Sequence, residues 1–173
     1  MNKKQYKNVY FAGAGGIGMA ALVRYYLGKG LRVAGYDRTC TTLTSQLEKE
    51  GAEIVYDDSV ELIPDYCRDK DTTLVAYPPA LPSDHAGSCS FRDGGLDVMK
   101  SAQVLGLLTH DSKGLCFSGT HGKTTTSSMA AHILHSSSIG CNAFLGGILR
   151  NYDSNFMFSA DSPYTVIEAD EFD

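Results

Sequence analysis

The chain has 173 residues, 43% of them hydrophobic, and a formal net charge of −5, so it can form a core but lacks the basic surplus that nucleic-acid partners select. Its five cysteines (Cys40, Cys67, Cys89, Cys116, Cys141) show no C-x-x-C spacing, which argues against a zinc site or disulfide framework and for reduced thiols. The N-terminus is polar and no apolar run approaches membrane-spanning length, so the reading is a soluble, cytoplasmic protein with no membrane partner.

In chain order, Asn8 to Ala12 is a short apolar run ended by glycines and reads as a buried strand. Met19, Leu22, Val23, Tyr26 and Leu27 then recur at helical spacing. They predict a helix from about Gly18 to Lys29 with Gly30 in the left-handed cap position. Leu31 to Tyr36 is a second strand ending at Asp37. Thr41 to Glu50 reads as a helix capped by Thr41 or Thr42 and closed by Gly51. Glu53 to Tyr56 and Thr72 to Tyr77 are further strands. Strands alternating with helices imply parallel pairing through crossover helices, a Rossmann-like, doubly wound α/β domain.

Pro78, Pro79 and Pro82 interrupt regular structure, and Ser83 to Gly95 is polar and glycine-bearing, so an irregular stretch is expected. Val98 to Leu107 reads as a helix. The polar run from Thr109 to Gly114 marks a boundary, giving a first domain over residues 1–109 and a second over 110–173. Leu115 to Ser118 is a new strand, Thr124 to His135 a new helix, and Phe144 to Ile148 a further candidate element. Tyr164 to Ile167 is a β-branched strand running into Glu168-Ala169-Asp170-Glu171, just before the sequence given stops. An acidic cluster there reads as a cut through a second domain, the start of a P-loop α/β ATPase domain. The open edge of such a partial sheet makes pairing with another copy, a homo-oligomer, one way to cover it.

Three motifs carry chemistry. Gly119-Thr120-His121-Gly122-Lys123-Thr124-Thr125-Thr126 lies between a strand and a helix, where backbone N–H groups and the positive helix end can surround phosphates. Lys123 would reach the β- and γ-phosphates of ATP and the Thr124 hydroxyl would ligate Mg²⁺. The strict G-x-x-x-x-G-K-[ST] pattern fails, because Phe117 occupies its first position. His121, inside the loop, either contacts a phosphoryl oxygen or shapes the turn.

Gly13-Ala14-Gly15-Gly16-Ile17-Gly18 matches G-x-G-x-x-G, and Asp37 ends the next strand roughly 20 residues on. This is a diphosphate loop with Asp37 placed for a ribose, although a tight turn needed only for packing would read the same way. Third, a carboxylate at the end of a strand beside a P-loop strand commonly holds Mg²⁺, which singles out Glu168 over a merely exposed acidic turn. His132 and His135 lie one helical turn apart without a further ligand nearby, which favours a helix-surface role. His85 stands in an inter-element loop where a ligand contact fits.

Two nucleotide loops in this order resemble the Mur ligases, the ATP-dependent enzymes that build the peptidoglycan stem peptide. The loop from Gly119 to Thr126 is similar to that family's ATP loop in the histidine-containing form of its muramate–alanine branch. Gly13 to Met19 is similar to that branch's loop for the diphosphate of UDP-N-acetylmuramate. Pro79-Ala80-Leu81-Pro82-Ser83-Asp84-His85, Val104-Leu105-Gly106-Leu107-Leu108 and Glu168-Ala169-Asp170-Glu171 extend the likeness through the chain.

The resemblance implies three domains, of which this chain holds the first and part of the second. It implies ATP and Mg²⁺ as cofactors, and UDP-N-acetylmuramate and L-alanine as substrates. In sites, it implies Gly119, Thr120, His121, Gly122, Lys123, Thr124 and Thr125 on ATP, with Lys123, Glu168 and His121 catalytic and Thr124 and Glu168 on Mg²⁺. Gly13, Ala14, Gly15, Gly16, Ile17, Gly18, Asp37 and His85 would bind the UDP-substrate. The implied reaction forms an acyl phosphate on the lactyl carboxylate, which the amine attacks to give an amide. The 173 residues alone are expected to bind the UDP-substrate without turning over ATP. Two alternatives stay open: a ligase that adds a whole tripeptide to the same UDP-sugar in cell-wall recycling, and an NAD-binding dehydrogenase domain.

Overall fold

A computed structural model describes residues 4–80 and 86–169 and divides the chain into two compact units, Met1–Ser101 and Ala102–Asp173.

The first unit is a five-stranded, all-parallel sheet in the order β3-β2-β1-β4-β5. Its strands are β1 (Asn8–Ala12), β2 (Arg32–Tyr36), β3 (Glu53–Val55), β4 (Thr73–Tyr77) and β5 (Asp97–Lys100). Central strands covered on both faces are apolar throughout rather than alternating, and all five residues of β1 are buried. Helix α1 (Ile17–Gly28) follows β1 and buries Met19, Ala20, Ala21, Leu22, Val23 and Tyr26. It ends in a Schellman motif: Gly30, at φ 78°, donates its N–H to the Leu27 carbonyl and Leu31 donates to Tyr26. Helix α2 (Thr42–Glu50) opens on a reciprocal capping box between Thr41 and Thr44 and closes on Gly51 at φ 112°.

The strand order reverses between β1 and β4, so the crevice at their carboxyl ends is the topological switch point, where open α/β sheets place ligands. Both strands lead into it, β1 into Gly13 and β4 into Pro78. A Cβ on Gly13 would stand 3.2 Å from Pro78 Cγ.

Two expectations fail here. The polar stretch after Pro82 contains helix α3 (Ala86–Asp93), because Phe91 is buried with its ring 4.8 Å from that of Tyr10. The helix expected over Val98–Leu107 is instead strand β5 followed by helix α4 (Ser101–His110). Val98 and Met99 lie opposite Val75 and Ala76 of β4. A short apolar run cannot be assigned by periodicity, and the vacant ladder of β4 decides it. Two short 3-10 helices, Val60–Leu62 and Asp65–Arg68, cross between β3 and β4.

The second unit is a four-stranded sheet in the order β6-β9-β7-β8, with β6 (Lys113–Phe117), β7 (Asn142–Leu149), β8 (Ser154–Met157) and β9 (Tyr164–Glu168). The β6, β9 and β7 strands run parallel, while β8 folds back antiparallel on β7. The candidate element at Phe144–Ile148 is thus one arm of a longer hairpin. Helix α5 (Lys123–His135) packs on this sheet over a core of Ala131, Cys141, Ala143, Leu145, Met157 and Val166.

Candidate functional site

Strand register places the parts of the second loop. In the parallel pairing of β6 with β9, Phe117 lies opposite Glu168, and the Ala169 N–H donates to the Phe117 carbonyl at 2.9 Å. The carboxylate strand therefore ends level with the point where β6 gives way to the loop. Gly119 (φ 148°) and Gly122 (φ 77°) take left-handed conformations that side chains resist. Gly122 is the N-cap of α5 and supplies no side chain to cap the first amides, which leaves the helix N-terminus as an anion-binding end.

The result is an open cavity of about 310 Å³ lined by Thr120, His121, Gly122, Lys123, Thr124, Thr125 and Glu168. Glu168 Oε1 accepts a hydrogen bond from Thr124 Oγ1 at 2.7 Å. Its other oxygen accepts from the Gly146 N–H at 2.8 Å and lies 3.5 Å from Ser127 Oγ. Six of the expected loop residues and the expected carboxylate thus share one cavity, with Gly119 shaping the turn below it. An ammonium, a helix N-terminus and backbone amides suit phosphate. An adjoining hydroxyl and carboxylate suit a hard divalent cation, which takes oxygen ligands and completes its shell with phosphate oxygens and water. No cluster of three or more His, Cys, Asp or Glu occurs among the described residues.

The first loop is held by its own strand neighbours. Gly13 and Ala14 both donate to the Tyr36 carbonyl, at 2.7 and 2.9 Å. The Gly15 N–H donates to Asp37 Oδ2 at 2.6 Å, and the Thr39 N–H donates to Asp37 Oδ1 at 3.1 Å. Asp37, expected on a ribose, here anchors the loop backbone. A Cβ on Gly15 would fall 2.7 Å from Thr44 Cγ2 and 2.8 Å from Asp37 Oδ2, so the close approach requires glycine.

Gly16 is the N-cap of α1, again with no side-chain cap, and Ile17, 56% exposed, opens that helix. Gly18 departs from the dinucleotide pattern. The third glycine of that pattern permits tight helix–strand packing, yet a Cβ on Gly18 would meet nothing within 4 Å. His85, Asp170 and Glu171 lie outside the described residues.

The sequence reading missed Gly146 and Ser127, the two further groups on Glu168. A glycine pair interrupting an apolar strand was the available signal for Gly146. His132 turns away from metal chemistry: its Nδ1 hydrogen-bonds Tyr152 Oη at 2.7 Å, and the His135 ring meets the same tyrosine edge-on at 5.3 Å.

Fold and geometry define a two-unit α/β protein with a strand–glycine loop–helix element in each unit, the second a P-loop with a strand-end carboxylate beside it. The chain belongs to the Mur ligase family: the profile described as "Mur ligase family, catalytic domain" matches residues 8–113. It is 60% identical over its whole length to the UDP-N-acetylmuramate–L-alanine ligase of Phocaeicola vulgatus, covering 38% of that protein. Against the enzyme of the same name from Parabacteroides distasonis it is 61% identical over 95% of its length, covering 36% of the relative. The chain therefore spans little more than a third of these curated relatives.

Among solved structures it superposes on the UDP-N-acetylmuramate:L-alanyl-gamma-D-glutamyl-meso-diaminopimelate ligase of Neisseria meningitides, with TM-score 0.81 and 25% identity. That match covers 97% of this chain and 54% of the other. The UDP-N-acetylmuramate-alanine ligase of Thermotoga maritima matches with TM-score 0.77 and 28% identity over 93% of this chain and 36% of that one.

Proposed function

We propose that this chain carries the UDP-sugar site and the core of the ATP site of a UDP-N-acetylmuramate–L-alanine ligase of cytoplasmic peptidoglycan synthesis. The observation that carries this reading is the Thr124–Glu168 pair beside the Lys123 loop, in a chain 60% identical to a protein of that name. In the reaction so assigned, the lactyl carboxylate of UDP-N-acetylmuramate accepts the γ-phosphoryl group of ATP. The amine of L-alanine then attacks the activated carbonyl, phosphate leaves, and an amide and ADP remain.

Two anions must meet for this, and the residues of the second loop answer the repulsion. The Lys123 ammonium and the α5 N-terminus stabilise charge on the transferred group. His121 lines the same cavity and is positioned as a further donor. Thr124 and Glu168 would hold Mg²⁺, whose role is to neutralise phosphate charge. In the first unit, the loop from Gly13 to Gly18 would hold the diphosphate of the UDP handle at the uncapped N-terminus of α1, with the Gly13, Ala14 and Gly15 amides fixing the turn on Tyr36 and Asp37, so that binding remote from the chemistry orients the carboxylate. Asp37, expected on the ribose, supports this by also accepting the Gly15 N–H, which fixes the loop.

Among the described residues no helix is long and apolar enough to cross a membrane. The tripeptide ligase remains the second reading, on the strength of the Neisseria superposition.

Calorimetry with UDP-N-acetylmuramate on the folded 173-residue chain tests the proposal. Binding is expected, and no heat of binding would sink the first-unit assignment. ATP turnover is expected to require a chain of the relatives' length, so phosphate release should not rise above that of a Lys123→Ala control.

A further inference from the structure

Strand β7 leaves its ladders where it passes Glu168. Its parallel register with β9 is traced to Phe144 opposite Ile167, and its antiparallel register with β8 shifts between Phe144 and Leu149. Bulges of this kind re-aim groups beside active sites. The backbone groups released here meet side chains: buried Asn155 donates its Nδ2 to the Leu145 carbonyl at 3.2 Å, and the Gly146 N–H donates to Glu168 Oε2 at 2.8 Å.

A Cβ on Gly146 would lie 2.7–2.8 Å from three carboxyl atoms of Glu168, and one on Gly147 would lie 3.3 Å from Thr124 Cγ2. Gly146 is not among the glycines with left-handed φ, so its requirement is steric rather than conformational. Two consecutive glycines of the bulge thus approach the two side chains that the proposed function puts on Mg²⁺.

We infer that Gly146 is a positioning residue for Mg²⁺-nucleotide binding: its amide holds Glu168 Oε2 so that the carboxylate stays on the cavity wall beside the Thr124 hydroxyl. This rests on reading the Lys123 loop as an ATP site. A glutamate side chain has several rotatable bonds, and an amide that fixes one oxygen removes the ordering that ion binding would otherwise impose. Outer partners of metal-ligating carboxylates act in this way. The bulge, with Asn155 securing its other backbone group, makes that amide available.

The test measures ATP binding to the 173-residue chain in Mg²⁺ and again in EDTA, for wild type, Glu168→Gln and Gly146→Ala. A fourth protein replaces only the Gly146 amide by an ester, made by ligating a synthetic 141–173 segment at Cys141. It removes the donor without adding a Cβ and also weakens the Leu145 carbonyl as an acceptor for Asn155. The comparison of Mg²⁺ with EDTA, rather than the loss of binding alone, therefore decides the matter if the alanine variant does not fold. Circular dichroism and thermal unfolding confirm folding.

The expected result is that Gly146→Ala and the ester weaken Mg²⁺·ATP binding about tenfold, while binding in EDTA stays within twofold of wild type. A purely structural role would lower both together and overturn the inference. If Glu168→Gln loses the Mg²⁺ dependence and the ester keeps it, Gly146 is not the positioning residue and the ATP reading stands. If wild type shows no Mg²⁺-dependent binding, or Glu168→Gln leaves it unchanged, the ATP reading falls and this inference with it.

Discussion

The two glycine loops use the same local grammar, a strand, a glycine turn and an uncapped helix N-terminus, yet the carboxylate beside each does different work. In the first unit Asp37 binds the loop itself, taking the amides of Gly15 and Thr39. In the second, Glu168 is held by Thr124 and by Gly146 of another strand, and it lines the cavity beside the loop. Their helices differ as well. The first-loop helix buries six hydrophobic residues, whereas the second buries only Ser127 and Ala131 and leaves Met129 and Ile133 more than 60% exposed. An acid close to a glycine loop is thus not one device. It either builds the cradle or equips it, and the partner of each carboxylate oxygen tells which.

The comparison breaks most sharply at Lys123. Lys123→Ala should weaken ATP binding by about 2–3 kcal/mol, roughly 30- to 150-fold, through loss of a charge-assisted contact to phosphate. Affinity for UDP-N-acetylmuramate should not move; parallel titrations with the two nucleotides check this, and an equal loss on both would mean the loops are not separate sites.

Gly15→Ala should do the reverse. Its Cβ would collide with Thr44 and Asp37, and overpacking of that kind costs about 1–3 kcal/mol. Chemical denaturation would show the loss, and UDP-substrate affinity should fall while ATP binding is retained. A smaller effect is expected from Asp37→Asn, which keeps an acceptor but gives up the charge on two backbone hydrogen bonds. A destabilisation of about 1 kcal/mol is expected, with UDP-substrate binding weakened rather than abolished. Abolition would mean that Asp37 contacts the ligand directly as well as holding the loop.

Much of this was legible in the sequence because it is local. The strand–loop–helix order around Gly13 and Gly119, the Gly30 and Gly51 helix ends and the Thr41 cap each depend on residues a few positions apart, where backbone sterics and capping chemistry decide. Glu168 could be singled out because strand-end acids beside a phosphate loop recur for an electrostatic reason.

What the sequence did not disclose depends on partners far along the chain. Val98 and Met99 became a strand only because β4 offered an unpaired ladder, and Phe91 turned a polar stretch into a helix by burying its ring against Tyr10. By itself, then, the sequence determined the two glycine loops between strand and helix and the alternation of strands and helices. Tertiary structure alone decided that β1 and β4 flank the switch point, that Asp37 serves its own loop, and that Gly146 holds Glu168. Those outcomes follow from strand order and register, which hydrogen bonding between distant segments sets and no local pattern encodes.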